Sequence, residues 1–137
     1  MYIIVDTNII ISALIKDAKT REIITTARTK FLFPETIFQE IRKHKKEILD
    51  KSGLNEQEFD ELLRLLLKYM NIVPTEQIKS FRGKALEIMK DIDINDTLFI
   101  ATALAFENSV IWSDDKALKK QTAIKILNTN EMIKLFE

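Results

Sequence analysis

Short, predominantly apolar runs separated by helix-forming segments constrain the fold of this 137-residue chain more than any other feature. Each run is too short to form a helix, so the runs are interpreted as buried strands. They cover residues 1–5, 31–33, 72–73, 109–112 and 124–127. Strands that are apolar on both faces and alternate with helices predict a parallel sheet covered on both sides. We therefore expect an α/β protein with a three-layer α/β/α arrangement and about four to five short strands.

The segments between these runs are predicted to be helices joined by short loops. Glycine and proline number only 2 each, which argues against a turn-rich all-β sandwich. Asn55, followed three residues later by Glu58, has the pattern of a helix cap and its box partner. The predicted helices cover 9–15, 19–29, 35–51, 55–70, 75–90 and 96–107, with a last one capped by Thr129. At 46% hydrophobic residues the chain can bury a core, and its length predicts a single domain over 1–137.

Charge and residue usage exclude several classes of protein. Lys plus Arg and Asp plus Glu are both 21, so the net charge is 0 and a nucleic-acid partner would need a local basic patch. There is no cysteine and only one histidine, which excludes thiolate and multi-histidine zinc sites. Any metal must be held by oxygens, as Mg²⁺ or Mn²⁺ are. Without a long apolar run or a basic N-terminal leader, we expect no membrane span and a cytoplasmic location.

Acidic residues follow the predicted strands at the sheet edge where ligands bind in such folds. Asp6 follows the first strand, Asp115 follows the strand at 109–112, Asp96 precedes a helix, and Glu40 lies on another helix. Taken singly, each could be a helix cap, a loop acid or a solvated glutamate. Brought together, they would repel one another, by about 4 kcal/mol for one pair at about 4 Å and an effective dielectric constant of about 20. Such a cluster indicates a bound cation or a shared proton.

Four segments resemble, in order, the motifs of the PIN-domain ribonucleases, which include the VapC-type toxins of toxin–antitoxin pairs. Residues 5–8, Val-Asp-Thr-Asn, resemble the opening motif, and Pro34 followed by Glu40 resembles the second. Asp96 followed by an alanine-rich helix resembles the third. Residues 111–116 resemble the fourth, in which Ser-x-Asp follows a strand. The resemblance covers essentially the whole chain and implies a PIN-like fold.

The resemblance also implies a set of functional residues and an activity. The implied catalytic and metal-binding residues are Asp6, Glu40, Asp96 and Asp115. Asp114, which adjoins Asp115, and Asp93, three residues before Asp96, are further metal candidates. The implied polar support comes from Thr7, Asn8 and Ser113. The implied activity is Mg²⁺- or Mn²⁺-dependent hydrolysis of single-stranded RNA that leaves a 5′-phosphate, with one or two ions per site. An antitoxin protein is an implied partner.

Basic residues cluster near some of these acids in the sequence. Arg42, Lys43 and Lys116 are the candidates for contacts with an RNA backbone, although charged runs are commonly just solvated helix faces. Two other readings remain open: a catalytically silent PIN-like module that binds RNA or protein, and a different acid-cluster phosphoryl-transfer enzyme. Asn8 counts against a dehalogenase-like phosphatase, which needs an acid two residues after its nucleophilic aspartate.

The leucine-rich segment 62–70 carries more apolar residues than one buried stripe needs. Leu65 and Leu67 are left over, and an exposed apolar patch usually marks an interaction site. We expect a homodimer formed through the helices at 35–51 and 55–70, because two-fold pairing is the commonest form of assembly.

Overall fold

A computed structural model describes residues 1–15 and 17–136. Its centre is a five-stranded sheet in which every neighbouring pair of strands is parallel, in the order β3-β2-β1-β4-β5. The strands are β1 (Tyr2–Val5), β2 (Lys30–Pro34), β3 (Met70–Val73), β4 (Ser109–Trp112) and β5 (Lys125–Leu127). The α/β fold with a central parallel sheet is thereby confirmed.

Helices connect successive strands and cover both faces of the sheet. They are α1 (Thr7–Ile15), α2 (Ala18–Thr26), α3 (Ile37–Lys43), α4 (Lys45–Ser52), α5 (Glu56–Leu67), α6 (Thr75–Ile78), α7 (Arg82–Met89), α8 (Thr97–Leu104) and α9 (Thr129–Leu135). Short 3₁₀ turns occupy Lys79–Phe81, Ile94–Asp96 and Lys116–Lys120. Among the helices of the described ranges, none is both long and apolar enough to cross a lipid bilayer.

The strands have apolar residues at consecutive positions because each strand contributes side chains to two separate cores, one on each face of the sheet. Ile3 and Ile4 are adjacent in β1 and both fully buried, yet they lie in different clusters on opposite faces of the sheet. Ile3 belongs to the cluster that contains Phe31 and Trp112, and Ile4 to the one that contains Ile111. A strand with apolar residues at alternate positions only would have left one of these faces exposed.

The pairing of β1 with β4 brings two chain-distant segments together at the carboxyl edge of the sheet. Val5 lies opposite Trp112, and the amide of Asp6 donates to the Trp112 carbonyl at 3.1 Å. The first residues after these strands, Asp6 and Ser113, are therefore neighbours. The Ser113 amide in turn donates to the carbonyl of Leu127, the last residue of β5. The sheet thus fixes the backbone on which the candidate acids are mounted.

The helix expected over 35–51 is interrupted at His44, so that prediction is wrong in this detail. α3 ends at Lys43 and α4 begins at Lys45. The His44 amide donates to the carbonyls of both Glu40 and Ile41, at 3.2 Å each. This shared bond is typical of a last helical turn that tightens before the chain changes direction.

Three further local predictions differ from the structure, while one is confirmed. The capping box of Asn55 and Glu58 is present, but Asn128 rather than Thr129 caps α9. The helix expected over 75–90 is divided by the 3₁₀ turn at Lys79–Phe81. The side chain of Asp96 makes no capping hydrogen bond to α8, and that helix ends at Leu104 instead of 107.

Candidate functional site

Asp6 is buried where β1 ends, held by donors from two directions. The Ser113 hydroxyl donates to Asp6 Oδ2 at 2.6 Å, and the Asn8 amide approaches Oδ1 at 3.3 Å. Burial raises the pKa of the Asp6 carboxyl above its usual range, while these two hydrogen bonds act in the opposite direction. The charges of Asp115 and Asp114 add to the increase. The two hydrogen bonds therefore hold the Asp6 carboxylate in one orientation, while burial and the nearby acids disfavour its ionised form.

Three other carboxylates form a tight cluster. Asp93, Asp96 and Asp115 each offer one oxygen, and these oxygens all lie within 4.8 Å of one another. Asp96 is only 8% exposed, and its Oδ2 is buried without a hydrogen-bond partner. An orphaned buried oxygen is costly unless a proton or a cation compensates for it. The oxygen-only donor set suits a hard divalent cation such as Mg²⁺ or Mn²⁺.

The raised pKa of Asp96 also indicates that a proton or a cation compensates for its charge. Burial and the charges of the neighbouring acids, Asp115 foremost, raise its pKa from 3.8 to about 8. Asp6 and Asp93 contribute further repulsion. Without a cation, these surroundings favour the protonated form of Asp96. A bound cation would replace that proton and satisfy the same oxygens.

Ser113 connects Asp6 with this cluster. Its oxygen donates to Asp6 and also accepts from the Asp115 amide at 3.1 Å. The Asp115 carboxylate accepts from the Ala117 amide at 2.9 Å, which starts the 3₁₀ turn after β4. One short side chain thus fixes the carboxylate of Asp6 and the backbone of Asp115 at the same time.

Asp114 is engaged on another side of the loop. Its carboxylate accepts from both the amide and the hydroxyl of Thr129, at 2.7 Å each, at the start of α9. The Thr129 hydroxyl also accepts from the indole nitrogen of Trp112 at 3.1 Å. The Asp114 carboxylate is therefore part of a structural network, whereas that of Asp115 lies in the acidic cluster.

Glu40 lies across a cavity from the buried acids. This cavity, of about 470 Å³, is lined by Asp6, Asp96 and Glu40 together with the polar residues Thr7, Asn8, Lys43 and His44. The Glu40 side chain is 46% exposed and pairs with Lys43 Nζ at 3.5 Å. Glu40 thus shares the cavity with Asp6 and Asp96 but lies outside the cluster of three close carboxylates.

The basic candidates occupy different positions around the acids. Lys43 lines the cavity, whereas the neighbouring Arg42 is exposed and does not line it. Lys116 lines a smaller cavity of about 290 Å³ that also contains Ser113 and Asp115. Cationic side chains are therefore present in two cavities that acids of the cluster also line.

Sequence reasoning ranked Asp93 below the four motif acids, yet the structure places it beside Asp96 and Asp115. The position of Asp93, three residues before Asp96, was the sequence feature that could have identified it. In the structure Asp93 directly precedes the 3₁₀ turn Ile94–Asp96, and its side chain accepts from the Asn95 amide at 3.0 Å. That turn directs two acids three residues apart toward the same space. His44, the single histidine of the chain, also lines the acidic cavity, and none of the four motifs includes it.

Comparisons with known proteins agree with this architecture. No curated protein matches the sequence. A solved structure titled as VapBC2 from Rickettsia felis bound to a DNA fragment from their promoter contains a chain with the same fold, at a TM-score of 0.70 and 18% identity. The match covers 93% of this chain and 98% of that one. The sequence model of the PIN domain matches residues 4–135, which include every acid described above. This chain belongs to the PIN domain family.

Proposed function

We propose that this protein is a Mg²⁺- or Mn²⁺-dependent endoribonuclease that hydrolyses single-stranded RNA. The observation that carries the proposal is the unpartnered, buried Oδ2 of Asp96 within a cluster of three carboxylates. Such an arrangement is unfavourable in itself and becomes favourable with a divalent cation. Membership of the PIN domain family supports the same assignment.

The residues that would hold the cation are those whose oxygens already converge. Asp93, Asp96 and Asp115 supply three of them, and Asp6 and Glu40 face the adjoining cavity. One or two ions would fit this number of carboxylates. A cation held there acts as a Lewis acid, which makes water a better nucleophile and stabilises charge on the phosphate.

The protein's own side chains would orient the substrate and manage protons. Ser113 keeps the Asp6 carboxylate aimed into the cavity, where it can accept a proton from water. Lys43 and Lys116, which line two cavities that the acids also line, would contact backbone phosphates. The exposed Arg42 would extend this contact only for a longer strand. Hydrolysis would leave a 5′-phosphate on one product.

A role as the toxin of a toxin–antitoxin pair is supported by one observation. The chain with the same fold comes from a structure titled as VapBC2 bound to promoter DNA. We propose that a small antitoxin protein binds this chain and that the free chain acts as a homodimer in the cytoplasm. Growth arrest on expression of the chain, relieved by co-expression of a protein encoded next to it, would support the toxin role.

The experiment that tests the activity is cleavage of end-labelled single-stranded RNA during titration with Mg²⁺ or Mn²⁺. Native protein should cleave, chelation by EDTA should abolish cleavage, and Asp96→Asn should lower the rate by at least about 100-fold. Asp91→Asn is the matched control, because Asp91 is an exposed acid in the same loop. RNA binding without cleavage at any metal concentration would favour the catalytically silent module. Release of phosphate from small phosphomonoesters would favour a different phosphoryl-transfer enzyme.

A further inference from the structure

A second cleft opens beside the acidic cavity. It has a volume of about 330 Å³, and its walls are contributed by α7, the 3₁₀ turn Ile94–Asp96 and the start of α8. The lining residues are Arg82, Leu86, Ile94, Asn95, Thr97 and Leu98. Asn95 and Leu98 also line the acidic cavity, so the two spaces share a wall.

The walls of this cleft are unusually apolar for a surface next to an acidic site. Ile94 is 63% exposed and Leu86 is 42% exposed, and neither belongs to the two core clusters. Ile94 stands in the chain between Asp93 and Asp96, two acids of the close cluster. Exposed apolar side chains that meet in one cleft are typical of a ligand-binding surface.

The polar groups of the cleft are suited to a nucleotide. In the described parts of the chain, the side-chain amide of Asn95 takes part in no hydrogen bond, and Arg82 takes part in no ion pair. The Thr97 hydroxyl donates to the Ile94 carbonyl at 2.7 Å, which fixes the turn that presents Ile94. The cleft therefore combines apolar walls, an amide with both donor and acceptor, and a cation.

We propose that this cleft binds one unstacked nucleobase of the RNA strand, from a nucleotide next to the cleaved phosphate. The inference rests on the proposed ribonuclease function and adds a subsite to it. The base faces would lie against Ile94 and Leu86, the Asn95 amide would meet the base edge, and Arg82 would contact the neighbouring phosphate. The shared wall is the reason for choosing this occupant, because a strand seated over the acids would pass Asn95 and Leu98, which line both spaces.

The test is a scan with RNA substrates that carry a single abasic nucleotide at successive positions around a mapped cleavage site. On the native protein, an abasic nucleotide at one position next to that site should lower kcat/KM by about tenfold, because the base no longer buries apolar surface in the cleft. Ile94→Ser should lower kcat/KM on intact RNA by a similar factor. For this variant the abasic nucleotide should cause no further loss, because both changes remove the same contact. Leu135→Ser, at another exposed apolar position, is the control.

Binding measured separately distinguishes failure of the subsite from failure of the proposed function. Fluorescence anisotropy with labelled RNA in EDTA measures binding without cleavage. Ile94→Ser should weaken RNA binding about tenfold, and its melting temperature should equal that of the native protein. Equal affinity of native protein and Ile94→Ser would overturn the subsite, whether or not the protein cleaves RNA. Sedimentation supplies the other contrary result: a native dimer that becomes a monomer in Ile94→Ser would identify the cleft as a contact between copies of this chain. If the native protein does not cleave RNA but Ile94→Ser still binds RNA more weakly than the native protein, only the nuclease proposal is overturned.

Discussion

Ser113 and Asp6 lie 107 positions apart in the chain and are joined by a buried hydrogen bond of 2.6 Å. The bond exists because β1 and β4 are neighbours in register, so that the residues after them meet at one edge of the sheet. The same Ser113 oxygen accepts from the Asp115 amide. The geometry of two candidate catalytic acids therefore depends on one hydroxyl.

We expect Ser113→Ala to lower RNA cleavage strongly and stability by about 1–3 kcal/mol, because it leaves Oδ2 of the buried Asp6 carboxylate without its hydroxyl donor. Cleavage assays and urea unfolding measure the two effects. Ser109→Ala is the matched control, since Ser109 lies on the same strand and donates to the Ala103 carbonyl at 2.7 Å. It should lose stability but retain activity. Equal activity of Ser113→Ala and Ser109→Ala would show that Ser113 does not position the acids.

Asp96→Asn should leave the stability of the metal-free protein unchanged or raise it by roughly 1–2 kcal/mol, the usual scale of a stabilising substitution. The substitution removes a buried acid whose neighbours repel it, and asparagine keeps a similar shape. Urea unfolding in EDTA measures the change, with Asp91→Asn as the surface control. A large loss of stability would mean that Asp96 is mainly structural.

The metal-free protein should become less stable as pH rises from about 5 to about 8. The pKa of Asp96 is about 8 in the folded state, above its ordinary value of 3.8, so the folded state binds more protons in this range. The stabilisation is complete below the ordinary pKa and is lost as pH passes through the folded value. Unfolding midpoints at several pH values in EDTA provide the measurement.

Two comparisons sharpen this pH prediction. Asp96→Asn should flatten much of the dependence, because it removes the group whose pKa is raised to about 8, and Asp6, whose pKa is also raised, should account for the remainder. Saturating Mg²⁺ should raise the midpoint most at high pH, where the cation no longer competes with a proton. A native protein whose metal-free stability rises between pH 5 and 8 would contradict the assignment.

The structure exposes only one of the two leucines that were expected at a homodimer contact. Leu65 is 43% exposed, as expected, but Leu67 is partly buried and packs against the core. We therefore expect Leu65→Lys alone to weaken dimerisation while the protein stays folded, as measured by sedimentation velocity at micromolar concentration. Leu135→Lys, at another exposed leucine, should have no effect. A native protein that sediments as a monomer would rule out this contact.

The class of the fold and the positions of the acids could be predicted because they depend on local patterns. A run such as residues 1–5 is apolar at consecutive positions only where both faces of a strand are covered, and this holds for Ile3 and Ile4. The capping box likewise needs only the four residues from Asn55 to Glu58. In both cases the residues that decide the structure are adjacent in the chain.

By itself, the sequence determined the parallel α/β architecture and placed acids after the strands, since periodicity and residue type set both. Only the tertiary structure decided which carboxylates converge: Asp93 joins Asp96 and Asp115, whereas the Asp114 carboxylate turns to Thr129. Neighbouring aspartates such as Asp114 and Asp115 have the same chemistry, and only the resemblance to the Ser-x-Asp motif ranked Asp115 first. Their directions are set by the partners that β4, β5 and α9 bring within hydrogen-bond distance, and these partners are distant in sequence.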